Sequence, residues 1–66
     1  MEVRVAGDYI VVSADNLVQG VELLDIQGRT LKAVAGNCLN IADREPGVYL
    51  VRVHINDRTA TQKVKL

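Results

Sequence analysis

The sequence predicts an all-β fold: about seven short antiparallel strands closed into a sandwich. Three observations point to it. Apolar residues alternate with polar ones in one segment after another, the period-2 pattern of strands that bury one face. Turn-forming Gly, Asn, Asp and Pro residues recur about every eight to twelve residues. No segment sustains a helical period; the nearest candidate, residues 42–45, is about one turn long and stops at Pro46. With two Tyr and no Phe or Trp in 66 residues, the core has to be built from Val, Ile, Leu and Ala, which suits strands. A chain of this length makes one domain spanning 1–66, near the lower limit at which a single core holds without a disulfide or a metal.

Residues 2–6 alternate, with Val3 and Val5 on one side and Glu2 and Arg4 on the other. Gly7-Asp8 reads as a two-residue turn, because glycine reaches positive φ at little cost. That turn places Val5 opposite Ile10 and Val3 opposite Val12, giving the hairpin of 2–13 one apolar face. Asp15-Asn16 marks a loop, after which Leu17 and Val18 are expected to fold back together as a plug. The next hairpin, 21–34, is expected to turn through residues 26–28 with Gly28 left-handed. This loop sets Asp25 against Arg29, Leu23 against Leu31, Glu22 against Lys32 and Val21 against Ala33, so that opposite charges and apolar partners align together.

Gly36-Asn37 interrupts the chain, Leu39 and Ile41 make a short alternating strand, and Pro46-Gly47 is a turn signal. Residues 47–55 are the longest run that reads only as a strand. Tyr49, Val51, Val53 and Ile55 form a wholly apolar face, and Val48, Leu50, Arg52 and His54 a mixed one, so the other segments are expected to pack around it. Residues 59–66 then return, with Ala60, Gln62, Val64 and Leu66 on one face. A two-residue turn, Asn56-Asp57 or Asp57-Arg58, keeps Ala60 and Val64 on the apolar side. Gln62 on that face has no packing explanation. Strand number and spacing point to an immunoglobulin-like β-sandwich, with a small barrel as the alternative.

Composition narrows the function classes. Eight basic and eight acidic residues cancel, and no basic run appears, which argues against a nucleic-acid partner. The apolar runs are too short for a transmembrane helix or a signal-peptide core, leaving either a small cytosolic protein or a domain of something longer. Cys38 is the lone cysteine, so no internal disulfide forms, and a half-buried structural thiol is expected. His54, the only histidine, reads as a surface strand residue. Asp8, Asp15, Asp25, Asp43 and Asp57 lie in or beside turns, where carboxylates cap backbone N–H groups. No calcium-loop spacing, zinc pattern, phosphate loop or nucleophile elbow is present, so neither catalysis, a cofactor nor a small-molecule substrate is expected.

Three stretches, in this order, resemble one known family. Residues 21–29 (VELLDIQGR) are similar to its "V-x-I-Y-D-x-x-G-R" hairpin, residues 39–53 (LNIADREPGVYLVRV) to its "I-x-L-x-x-L-x-x-G-V-Y-L-V-K-V" segment, and residues 61–66 (TQKVKL) to its closing "T-x-K-V-V-K". The family is the C-terminal sorting domain, type A, of cargo proteins of the type IX secretion system of Bacteroidota. Three departures stand out. Leu24 fills a slot that is usually aromatic, Arg44 stands where the family has Leu, and the usual Asn-Pro lead-in is absent.

The resemblance implies an immunoglobulin-like sandwich at the end of a larger secreted protein. Such a protein reaches the periplasm, and its sorting domain is recognised by the outer-membrane type IX secretion machinery. The cargo is then released or held at the cell surface after a sortase-like peptidase removes the domain. The motif residues Asp25, Gly28, Gly47, Val48 and Tyr49 are expected to be structural, Tyr49 with its ring in the core and its hydroxyl at an edge. Arg29, Lys63, Val64, Lys65 and Leu66 are the candidates for contact with the machinery. Two other readings stay open: an adhesion or glycan-binding module using Tyr9 or Tyr49, and a homodimer formed through an edge strand such as 59–66.

Overall fold

The computed structural model describes residues 1–66 and contains seven strands and no helix. β1 (Glu2–Ala6), β2 (Tyr9–Ser13) and β5 (Cys38–Asn40) form a sheet in the order β1-β2-β5. β3 (Val18–Leu24), β4 (Thr30–Ala35), β6 (Val48–Ile55) and β7 (Arg58–Lys65) form a second, in the order β4-β3-β6-β7. All pairings are antiparallel, and the two sheets make the expected immunoglobulin-like sandwich. The core lies between them. Ile10, Val12 and Leu39 of the first sheet and Val21, Leu23, Val51 and Val53 of the second are fully buried. The run read as the organising strand is β6, which pairs with β3 on one side and β7 on the other.

Two turns fall where the sequence puts them. Gly7, at φ 60°, opens the β1–β2 turn and sets Val3 against Val12 and Val5 against Ile10. At the other end of the chain Asn56-Asp57 is the two-residue turn, with Asn56 at φ 54° and Ile55 paired to Arg58. Asparagine tolerates this left-handed backbone better than most residues, which is why the turn forms here and not one residue later. Val53 then faces Ala60, and Tyr49 faces Val64.

Three expectations are corrected. The β3–β4 register begins as read, with the Asp25 N–H donating to the Arg29 carbonyl and Leu24 opposite Thr30. A bulge then intervenes, so Leu23 faces Lys32, Glu22 faces Ala33 and Val21 faces Val34. The bulge exchanges an alanine for a valine on the inner face: Val34 packs against the core, while Ala33 is exposed. Lys32, turned inward at the sheet margin, donates from Nζ to the Asn40 carbonyl at 2.8 Å and ties β4 to β5 across the sandwich. Leu17 is 77% exposed, and only Val18 joins the core, because β3 starts at Val18. Cys38 is exposed rather than half-buried; β5 turns its neighbour Leu39 inward.

Candidate functional site

The motif residues build one end of the four-stranded sheet. Asp25 closes the β3–β4 turn. Its Oδ1 accepts from the Gln27 and Arg29 backbone N–H groups at 3.0 and 2.9 Å, and its Oδ2 accepts from Arg29 Nε at 2.6 Å. The bond from the Arg29 backbone, with help from its side chain, holds the Asp25 carboxyl below the usual carboxylate range. Gly28 completes the turn at φ 89°, a left-handed backbone that side chains resist. Arg29 is thus anchored through Nε while its side chain stays 78% exposed, leaving the rest of the guanidinium to solvent.

The β5–β6 connection is fixed by Tyr49. Its half-buried ring packs against the core, and its hydroxyl donates to the Glu45 carbonyl at 2.7 Å. A tyrosine near the start of the sixth strand, bonded back to the chain just upstream, is the tyrosine corner of immunoglobulin-like domains. Gly47, at φ 156°, lies in a region essentially reserved for glycine. It also holds the last residue: Leu66 N–H donates to the Gly47 carbonyl at 2.8 Å, and Gly47 N–H donates to the Leu66 carbonyl at 3.1 Å. The β6–β7 ladder therefore runs to Leu66, which packs half-buried against the core. Val64 is buried opposite Tyr49. Lys63 and Lys65 project from the outer face, opposite Leu50 and Val48, and are exposed.

Arg29 and the β7 lysines share one end of one sheet but do not converge on one point. β3 and β6 lie between β4 and β7, so the margins are about 14 Å apart at the usual strand spacing. Leu24, in the usually aromatic slot, is 1% exposed on the outer face, between Thr30 and Leu50. Arg44, where the family has Leu, is half-buried, and its Nε is buried without a partner.

Sequence reading missed a polar cluster on the same outer face. Glu22 accepts from or pairs with His54 Nε2 at 2.5 Å, Arg52 at 3.5 Å and Thr30 Oγ1 at 3.3 Å, and His54 Nδ1 lies 3.3 Å from Thr59 Oγ1. The His54 bond is the main reason the Glu22 carboxyl sits below its usual range. The alternation of β3 and β6 puts Glu22, Arg52 and His54 on one face; what it did not show was that β3 and β6 are neighbours. No group of three His, Cys, Asp or Glu side chains is arranged to hold a metal.

The profile of the secretion system C-terminal sorting domain matches residues 6–66. The chain belongs to this family. A search of the curated proteins finds no match, and neither does a search of the solved structures. A sorting domain of this kind is a signal for type IX secretion: it engages that machinery and directs export across the outer membrane to the cell surface or beyond. The adhesion or glycan-binding reading finds no support.

Proposed function

We propose that this sorting domain is a passive, non-catalytic address at the end of a larger cargo protein, and that the machinery reads the end of the four-stranded sheet where Gly47 and Leu66 pair. In this reading the cargo passes through the periplasm, the domain is bound through Arg29, Lys63, Lys65 and the β7 strand that Val64 and Leu66 anchor, and a sortase-like peptidase later removes it. The supporting observation is the clasp between Leu66 and Gly47. It fixes the last strand and leaves the lysine side chains free, which suits a folded surface that is read. Asp25, Gly28, Gly47 and Tyr49 hold that end in shape, whereas Val48 is 45% exposed and takes no part in the core.

Fusing residues 1–66 to a periplasmic reporter in a type IX-competent host tests this. Export of the reporter is expected, with loss on Lys63→Glu/Lys65→Glu. A reporter that stays in the periplasm with the intact domain attached would sink the reading. Pairing with a second copy is the other use open to a free edge strand, and concentration-dependent sedimentation of the isolated domain measures it.

A further inference from the structure

The sandwich has four free strand edges; two of them are blunted, and a third is shorter than β7. β5 is only three residues long, and its Asn40 carbonyl is taken by Lys32. β4 is bulged, and β1 is five residues long. Short or irregular edges are how β-proteins avoid unwanted pairing. β7 differs: eight residues, paired without a break from Arg58 to Lys65, with no glycine, proline or bulge.

The direction of its free groups follows from the ladder. Gly47 and Leu66 exchange both hydrogen bonds. In an antiparallel pair such exchanges recur every second residue, at Tyr49/Val64, Val51/Gln62 and Val53/Ala60. The residues between them, Thr59, Thr61, Lys63 and Lys65, therefore turn N–H and C=O away from β6. None of the hydrogen bonds made in turns, loops and caps uses those groups.

Charge then identifies what fits. β7 reads RTATQKVK, with three cations and no acid, in a chain of zero net charge. Arg29, Arg44 and Arg52 are in ion pairs, whereas Arg58, Lys63 and Lys65 are in none. A second copy of β7 brings no carboxylate within the strand to meet these lysines. They favour a strand with carboxylates two residues apart, one to meet Lys63 and the next to meet Lys65.

We infer that β7 is the docking edge for an extended acidic segment of a protein partner, which adds as a fifth strand beside β7 with Asp or Glu at alternate positions. Main-chain bonds to Thr59, Thr61, Lys63 and Lys65 hold the segment, and its carboxylates set the register. This rests on the reading of β7 as the surface the secretion machinery engages, and it adds the mode of binding and the chemistry of the partner.

The probe is a capped heptapeptide with glutamate at alternate positions and valine between, with a lysine counterpart as control. Amide hydrogen exchange in the 1–66 domain is followed by NMR. Exchange at Thr61 and Lys63 is expected to slow at least tenfold with the glutamate peptide and to be unchanged with the lysine peptide. Thr61→Pro removes an outward N–H but no bond to β6, so the domain should stay folded and lose the effect. Lys65→Pro serves where Thr61→Pro does not fold. No slowing at these amides, equal slowing by both peptides, or protection at β1 in place of β7 overturns the proposal.

Reporter export separates the two levels. Export is expected to fall at least tenfold with Thr61→Pro as well as with Lys63→Glu/Lys65→Glu. If Thr61→Pro exports normally, strand addition is wrong and the sorting reading stands. Failure of the intact domain to export removes the sorting reading, while the exchange result still decides the docking edge.

Discussion

Arg44 shows how much one side chain can cost in so small a domain. Its Nε is buried and unpartnered, and an unmet buried donor costs about 1–3 kcal/mol. Its pair with Asp43, at 3.4 Å on an exposed carboxylate, returns little. Arg44→Leu is therefore expected to raise stability by about 1 kcal/mol, read from urea unfolding. Tyr49→Phe tests the opposite sign: losing the bond to Glu45 is expected to cost about 1 kcal/mol. Acid should weaken the fold through Glu22 and Asp25. Both bind protons less readily folded than unfolded, so their contribution is complete above their ordinary values of 4.5 and 3.8 and drains away as pH falls through the lower folded values. A melting series from pH 7 to pH 2 should show this loss, and Glu22→Gln should flatten it. At this scale the sequence misled at Leu17 and Cys38. Their exposure depends on where β3 starts and which way β5 faces, and local pattern specifies neither.

For the strands, legibility followed the turns. The β1–β2 register was readable because Gly7-Asp8 fixes it, and the β6–β7 register became definite once Asn56 was found in the left-handed region. The β3–β4 pairing was readable only as far as Leu24. Beyond it, the wish to align Glu22 with Lys32 lost to burial of Val34, and the ladder took a bulge. Glu22 found its partners on β6 instead, the Arg52 guanidinium and the His54 ring, through a pairing no local signal announces. The candidate surface divides the same way. Exposure of Lys63 and Lys65 and the inward placing of Val64 were legible from alternation, but the pairing of Val64 with Tyr49 and the clasp at Leu66 needed the fold. Deleting Leu66 removes two hydrogen bonds and should cost roughly 1–3 kcal/mol. The frayed end should appear as faster exchange at Tyr49 and Val64. Gly47→Ala, forced into a glycine-only region, should cost a similar amount, roughly 1–3 kcal/mol.

The molecule as a whole has little reserve. A domain of 66 residues has a stability of roughly 3–10 kcal/mol, and a buried Leu→Ala change removes about 2–5 kcal/mol of that. Leu23→Ala is expected to leave a large unfolded fraction at 37 °C, visible as loss of dispersion in the NMR spectrum. The clasp between Leu66 and Gly47 also bears on when such a chain can fold. Synthesis runs from the N-terminus, and β6 lies between a partner made well before it and one made after it. The second sheet therefore cannot close while residues up to 66 are still inside the ribosome. The second sheet of such a domain is expected to stay open until Leu66 has left the exit tunnel, which keeps it available to chaperones. An arrest-peptide force profile should show no folding force until residue 66 clears the exit tunnel; force at shorter lengths would mean that β1–β6, or fewer strands, fold without β7.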